Sequence, residues 1–282
     1  MFASRRSVTA ERVAVRRAAH QVLDRPLVFE DPLALAILGQ SAEAVSAVDG
    51  ETERISRHRR AFINARSRYV EDQLARAVAR GVDQYVVLGA GLDTFAYRSP
   101  YPRLRVFEVD HPATQAWKRE RLESGRIVIP AALTFVPIDF DREQLSDALG
   151  RAGFDATRPA FFGWLGVVAY LEMSAIVETL AFVASRATGT MIVFDYSILP
   201  DTLPPRQRAR FDTIANRAAA VGEPWRTFFE PNQVGELLRR VGFVDVEDVD
   251  ADALNERYFS NRTDGLRIES VGRLAHIARA ER

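Results

Sequence analysis

Cysteine is absent from this 282-residue chain, which excludes disulfides, thiolate nucleophiles and cysteine-ligated metals. Lysine occurs only at Lys118 and there are four histidines, so no metal site is expected. The formal net charge of +0 provides no overall field for nucleic acid. No apolar run is long enough to span a membrane, and the opening MFASRRSVTAERVAVRR lacks the core of a signal peptide. We therefore expect a cytoplasmic protein that binds neither nucleic acid nor membrane.

A glycine turn directly after an apolar strand is the most informative stretch that is present. Tyr85–Leu88 run straight into Gly89, Ala90 and Gly91. Residues of this kind are typical of a buried parallel strand, and glycine lets a ligand lie against the backbone. In an open α/β sheet, ligands bind at the carboxyl ends of the strands. The turn therefore predicts a ligand site.

An acidic residue at the end of the second apolar strand narrows the range of possible ligands. Asp110 ends that strand 19 residues after Gly91, where a carboxylate accepts hydrogen bonds from both ribose hydroxyls. Glu108 points the same way in a strand and is the alternative. Thr94 stands where a dinucleotide fingerprint has its third glycine. The pattern argues against a pyrophosphate and for a nucleoside cofactor such as S-adenosylmethionine.

The rest of the chain divides into a helical part and an alternating part. Residues 1–80 are predicted as a helical cap and residues 81–282 as an α/β core with a helical lid inserted at about 199–229. The predicted strands are Tyr85–Leu88, Arg105–Val109, Leu133–Pro137, Ala160–Val168, Met191–Tyr196, Val244–Val249 and Gly272–Ala278. The predicted helices are Ala10–Val22 capped by Thr9, Leu33–Leu38, Ile55–Arg80, Pro112–Glu123, Arg142–Gly150, Glu172–Arg186 and Pro231–Val241.

Several segments together resemble a known family. They are VAVRRA with Arg17, the Asp31-Pro32 pair, Arg66-Ser67-Arg68-Tyr69, LGAGLDTFAYR, FEVDHP, VPIDF and GVVAYL. The chain is similar to the leucine carboxyl methyltransferase-like family of S-adenosylmethionine-dependent enzymes, whose bacterial members include O-methyltransferases of polyketide and other secondary metabolism. The resemblance runs from Thr9 to the last strand. It implies a class I methyltransferase fold, a Rossmann-like seven-stranded sheet with its last strand antiparallel.

The resemblance also implies roles for individual residues. Arg66 is expected to bind the carboxylate of the cofactor's methionine moiety, since a planar guanidinium pairs with a carboxylate through two charged hydrogen bonds. Arg17 is expected to play a similar part. Asp139 is placed at the adenine amino group with Phe140 beside the ring. The alternative for Asp139 is a helix N-cap, because the predicted helix Arg142–Gly150 follows closely.

One residue departs from the family pattern. Leu165 occupies the place of the family's usual glutamate in Trp164–Leu171, and a leucine side chain neither accepts a hydrogen bond nor carries charge. Two outcomes are open. Backbone carbonyls at this strand end bind the cofactor amine alone, or the pocket has drifted and cofactor use is impaired. We favour the first, because the other segments are intact.

The acceptor side offers no unambiguous catalytic base. A carboxylate acceptor is already ionised at neutral pH, whereas a phenol, with a pKa near about 10, benefits from a base. The weak candidates for a base are His111, Tyr170 and His58. The residues expected around the acceptor are Tyr196, Phe211, Trp225 and Phe228. An aromatic lid suits a flat, apolar metabolite, although these rings could equally serve to anchor the lid.

The leading hypothesis is therefore an O-methyltransferase that acts on a small-molecule carboxylate or hydroxyl, such as a polyketide or aromatic metabolite. A second hypothesis keeps the fold without catalysis, as a degenerate cofactor-binding protein, because of Leu165. A third is a nicotinamide-dependent oxidoreductase, which needs a glycine where Thr94 stands.

Overall fold

The computed structural model describes residues 7–50, 53–139, 142–202, 205–220, 222–269 and 275–282, and its strands form one sheet. The strands are β1 (Gln84–Leu88), β2 (Arg105–Asp110), β3 (Leu133–Pro137), β4 (Phe161–Trp164), β5 (Met191–Ser197), β6 (Asp245–Val249) and β7 (Ala275–Glu281). Their order is β3-β2-β1-β4-β5-β7-β6, and β7 runs antiparallel to both neighbours. This order confirms the expected seven-stranded α/β sheet with its last strand antiparallel.

Two strands differ from their predicted limits by more than one residue. β4 ends at Trp164 and not at Val168, because Gly166 turns the chain with a φ of +72° and a 3₁₀ turn follows at Val168–Tyr170. β7 begins at Ala275, and the predicted start at Gly272 lies outside the described residues. The early end of β4 leaves the segment from Leu165 onward at the carboxyl edge of the sheet.

Helices flank the sheet and precede it. The α-helices of the described ranges are α1 (Val8–Leu23), α2 (Ala34–Leu38), α3 (Ala42–Gly50), α4 (Glu53–Ala79), α5 (Phe95–Arg98), α6 (Pro112–Ser124), α7 (Leu145–Arg151), α8 (Met173–Ala184), α9 (Pro205–Ala220), α10 (Pro231–Val241) and α11 (Ala251–Phe259). The predicted cap at Thr9 is wrong, because α1 begins at Val8 and the Ser7 hydroxyl accepts from the Ala10 amide at 3.1 Å.

Both faces of the sheet are covered, which explains the unbroken apolar run in β1. Val86 and Leu88 belong to a core shared with α8 and α10. Tyr85 and Val87 belong to a core shared with α4 and α11. All residues of β1 are buried, as expected for a central parallel strand. The long helix α4 is therefore fixed against the sheet, and its residues reach the carboxyl edge in a defined position.

The N-terminal helices pack over the same edge. A separate apolar cluster joins α1 and α2 to Leu92, just after the glycine turn, and to Trp117 on α6. Within the described ranges, no helix combines the length and apolarity needed to cross a bilayer. The packing of α1 places its first turns above the ends of β1 and β4.

Candidate active site

The carboxyl ends of β1, β2 and β4 open into a cavity of about 610 Å³, whose wall includes the start of α1. This is the edge at which open parallel sheets bind ligands. The described residues predicted to bind the cofactor all line it: Arg17, Arg66, Gly89, Ala90, Gly91, Asp110 and Asp139. Phe140, predicted beside the adenine, lies outside the described residues.

The turn after β1 brings bare backbone to this cavity. Gly89 has a φ of +67° and Gly91 a φ of +47°, a region that favours glycine. A Cβ on Gly89 would lie 2.3 Å from Cγ2 of Val167, so any side chain there would displace the segment after β4. The Gly89 and Ala90 amides both donate to the Val109 carbonyl, at 2.8 and 3.1 Å, which ties the turn to β2.

Asp110 ends β2 beside the turn and faces the cavity. Its Oδ2 accepts from the Gly91 amide at 2.6 Å and its Oδ1 from the His111 amide at 2.7 Å. Burial raises the pKa of Asp110, and the two amide hydrogen bonds oppose that rise. The alternative, Glu108, is buried with Oε2 at 2.7 Å from Lys118 Nζ and is not part of the cavity wall. Asp110 is therefore the acid placed to meet a ligand.

Arg66 lies on α4 where the helix meets both Gly166 and β5. Its Nη1 is 2.5 Å from Oδ2 of Asp195, and the Gly166 amide donates to Oδ1 of the same carboxylate at 2.5 Å. Its Nε is buried and has no hydrogen-bond partner. A buried guanidinium N–H without an acceptor is costly, so a ligand oxygen fits this position. A Cβ at Gly166 would lie 3.0 Å from Nη2, which explains the glycine.

Arg17 is engaged by the protein itself. Its Nε is 2.6 Å from Oδ2 of Asp31, and its Nη2 donates to the Leu92 carbonyl at 2.5 Å. Asp31 also accepts from the Thr94 hydroxyl at 2.8 Å. The threonine that replaces a third glycine thus anchors the turn to Asp31. Arg17 braces the loop that follows Gly91, and direct contact with the cofactor stays a prediction.

Asp139 follows β3 and lies on the cavity wall. The alternative that it caps a helix starting at Arg142 is wrong, because α7 begins at Leu145 with Gln144 at its N-cap. The Asp139 carbonyl instead accepts from the Arg142 amide at 2.9 Å in a separate turn. Its side chain pairs with Arg142 at 3.4 Å, on the rim of the cavity. The role toward adenine stays a prediction.

A smaller cavity of about 100 Å³ adjoins the first and shares Thr9, Arg66 and Tyr170 with it. Arg59 lines the smaller cavity, and no carboxylate of the described residues pairs with it. Burial, and then the positive charge of Arg16, lower the pKa of Arg59 to about 9. The guanidinium is still protonated at neutral pH. The smaller cavity therefore presents a positive charge without a partner.

The three weak candidates for a base are placed differently. His111 lines the large cavity, but its ring nitrogen caps α6. Tyr170 lines both cavities, with its hydroxyl 3.4 Å from Oγ1 of Thr9. His58 lines neither cavity, and its Nδ1 lies 3.0 Å from the Arg267 carbonyl. Within the described residues, no group of three or more His, Cys, Asp or Glu side chains is placed to hold a metal ion.

The aromatic residues expected around the acceptor fall into two groups. Tyr196 and Trp225 line the smaller cavity, whereas Phe211 and Phe228 line neither cavity. The Phe211 ring packs 5.3 Å from Trp225 and 5.4 Å from Phe228 between centroids. The Tyr196 hydroxyl donates to Oδ1 of Asp248 at 2.6 Å. Contact with the acceptor stays a prediction for all four, and Phe211 and Phe228 hold Trp225 in place.

Sequence reasoning missed two acids at this site. Asp195 had a usable signal, since it is a carboxylate near the end of a predicted parallel strand. Glu223 had none, because its partners lie at the other end of the chain. Its carboxylate accepts from the Val8 amide at 3.0 Å and the Thr9 amide at 2.9 Å. It thus caps the N-terminus of α1 and joins the segment after α9 to the cavity wall.

The sequence itself decides the family. Residues 10–184 match the model of the leucine carboxyl methyltransferase family. The chain belongs to the leucine carboxyl methyltransferase family. It is also 33% identical to the Bacillus subtilis protein YktD, over 92% of this chain and 93% of that protein, whose name describes an S-adenosyl-L-methionine-dependent methyltransferase. A Frankia alni protein named for the same activity is 33% identical over 81% of this chain and 79% of its own length.

Solved structures at low sequence identity share the fold of this family member. A Thermobifida fusca protein described as a methyltransferase superposes with a TM-score of 0.58 at 16% identity, over 96% of this chain and 94% of its own. A Streptomyces avermitilis protein superposes with a TM-score of 0.56 at 18% identity, over 95% of this chain and 97% of its own. The expected class I methyltransferase fold is confirmed.

As a family member, the chain is an S-adenosylmethionine-dependent methyltransferase, and the nicotinamide-dependent hypothesis is wrong. The cavity fits this cofactor on two structural grounds. Arg66 Nε is a buried donor that needs an acceptor, and the glycine turn and Asp110 line one side of the same cavity. A carboxylate and a nucleoside respectively suit those two places.

Replacing Asp110 by alanine is expected to weaken the binding of both S-adenosylhomocysteine and 5′-methylthioadenosine by about tenfold, because both ligands carry the ribose. Isothermal titration calorimetry measures the two affinities. Glu108→Gln is the matched control: it lies on the same strand but outside the cavity, so it should lower the melting temperature and leave both affinities intact. Equal losses of affinity in the two variants would remove the ribose role from Asp110.

Proposed function

We propose that this methyltransferase transfers the methyl group to an oxygen of a small-molecule carboxylate. The observation that carries the proposal is the positive charge of Arg59, which has no carboxylate partner among the described residues and lines the cavity next to the cofactor site. An anionic acceptor would supply that partner through charged hydrogen bonds. A carboxylate is ionised at neutral pH, so neither His111 nor Tyr170 needs to act as a base.

The residues proposed to contact the cofactor lie on different elements of the cavity wall. When bound, S-adenosylmethionine supplies an electrophilic methyl group on its sulfonium, which an acceptor oxygen attacks in line. Arg66 binds the carboxylate of the methionine moiety and Asp110 binds the ribose. Asp139 accepts from the adenine amino group. The turn Gly89–Gly91 brings backbone to the wall of the same cavity.

We further propose that the segment at about 199–229 acts as a lid over the core formed by residues 81–282. A helical cap formed by residues 1–80 covers the same core. The contacts of Glu223 with the start of α1 support this arrangement, because they join the two parts directly. Trp225 and Tyr196 give the smaller cavity aromatic walls. A flat acid, such as an aromatic or polyketide-derived acid, suits such walls.

The chemistry of the product tests the function. The enzyme is incubated with S-adenosylmethionine carrying a labelled methyl group and a panel of aromatic and aliphatic carboxylic acids, each matched by its hydroxyl analogue. Alkali releases labelled methanol from a methyl ester but not from a methyl ether. We expect base-labile label in the presence of carboxylic acids.

Two results would contradict the proposal. Label that is stable to alkali and appears with the hydroxyl analogues would make the enzyme an ether-forming methyltransferase. Cofactor binding without transfer to any carboxylic acid of the panel would contradict the proposed acceptor class. A reaction without the acceptor measures the background label in each case.

A further inference from the structure

The carboxylate of Asp195 lies where the family pattern has lost an acid. It sits near the carboxyl end of β5, is 8% exposed, and contacts both Arg66 and Gly166. Asp195 lines the smaller cavity, and its two partners Arg66 and Gly166 line both cavities. Leu165, which replaces the family's glutamate, is the residue directly before Gly166.

The amino-acid end of S-adenosylmethionine is a zwitterion, with an ammonium and a carboxylate on one carbon. A site that binds it needs a negative group as well as a positive one, because an ion removed from water without a partner is costly. Arg66 is the positive group. Leu165 contributes no charge, and Asp195 is the carboxylate of the described residues that pairs with Arg66.

We propose that Asp195 binds the cofactor's ammonium group in place of the family's glutamate, so that Arg66 and Asp195 together receive the zwitterion. The acid has moved from the end of β4 to the neighbouring strand. The proposal rests on the cofactor site of the proposed function and is independent of which acceptor is methylated. It replaces the expectation that backbone carbonyls alone hold the amine.

The existing hydrogen bonds leave room for both ligand groups. Asp195 engages Nη1 of Arg66, and the Nε of the same guanidinium is buried without a hydrogen-bond partner. Asp195 itself accepts one hydrogen bond at each oxygen, at 2.5 Å from Arg66 and 2.5 Å from Gly166. A carboxylate has about four lone-pair sites, so each oxygen retains acceptor capacity for an ammonium.

Three ligands that differ at the amino-acid end test the proposal in Asp195→Asn. S-adenosylhomocysteine has both charged groups, decarboxylated S-adenosylmethionine keeps only the amine, and 5′-methylthioadenosine has neither. Calorimetry is expected to show about tenfold weaker binding of the first two and unchanged binding of the third. Unchanged binding of 5′-methylthioadenosine also shows that the variant is folded.

A second variant places a carboxylate at position 165, where the family usually has a glutamate. Asp195→Asn combined with Leu165→Glu is expected to recover most of the affinity for decarboxylated S-adenosylmethionine. If Asp195→Asn weakens S-adenosylhomocysteine but not the decarboxylated ligand, Asp195 only orients Arg66 and the proposal is overturned. Equally weakened binding of all three ligands overturns the proposal as well. Unchanged binding of all three also overturns it. Each of these outcomes leaves the test for ester formation unaffected.

Discussion

Replacing Arg66 by glutamine is expected to weaken S-adenosylmethionine binding by about 2 to 3 kcal/mol, or roughly 30- to 150-fold. The substitution removes the charged hydrogen bonds proposed for the methionine carboxylate. It also leaves Asp195, which is buried beside Arg66, without its ion-pair partner, so a lower melting temperature should accompany the loss of affinity. Calorimetry with S-adenosylmethionine and S-adenosylhomocysteine at constant ionic strength measures the effect.

Arg68→Gln is the matched control for this prediction. Arg68 lies on the same helix, is largely exposed, and pairs with Asp72 at 2.8 Å instead of facing the cavity. We expect its substitution to leave the affinity unchanged. Binding of 5′-methylthioadenosine, which lacks the amino-acid end, should be insensitive to Arg66→Gln. Retention of full S-adenosylmethionine affinity by Arg66→Gln would show that the carboxylate is bound elsewhere.

Replacing Arg59 by glutamine is expected to lower kcat/KM for a carboxylate acceptor by about 100-fold, while cofactor affinity stays within about twofold. The reason is that the half-buried guanidinium of Arg59 has no carboxylate partner among the described residues, so its charge is available to the ligand. Because the pKa of Arg59 is about 9, the effect should be present across neutral pH. Steady-state kinetics with an acid identified from the acceptor panel provide the measurement.

Arg57→Gln serves as the comparison for Arg59. Arg57 is on the same helix and donates to the Asp264 carbonyl, outside both cavities. The substitution Arg57→Gln should leave kcat/KM unchanged. The Arg59 assignment fails if charged and uncharged acceptors lose the same factor, or if Arg59→Gln weakens the cofactor instead of the acceptor.

The parts of the site that could be predicted depend on local sequence. An apolar strand, a glycine turn and an acid at the end of the next strand each have a short-range signature, and they placed Gly89, Gly91 and Asp110 at one edge. The sheet followed from the alternation of strands and helices. Arg66 required the family resemblance, because α4 carries many arginines and only its packing against the sheet distinguishes one from another.

The parts that were missed depend on contacts between distant segments. Glu223 reaches Val8 and Thr9 across most of the chain, so no local pattern reports it. The end of β4 was placed too late because its apolar run continues past Gly166, where backbone conformation ends the strand. The departure at Leu165 and the acid near the end of β5 were both visible in the sequence, but the contact of Asp195 with Gly166 became evident only from the fold.

The antiparallel strand β7 has a consequence for how the protein is made. β5, which carries Asp195, pairs with β4 on one side and with β7 on the other, and β6 joins the sheet through β7. β7 follows all other strands along the chain. Until the ribosome has delivered residues 275–281, the apolar strand β5 is an open edge of five parallel strands. The nascent chain therefore exposes an aggregation-prone edge from the synthesis of β5 until β7 has been made, and covers it late.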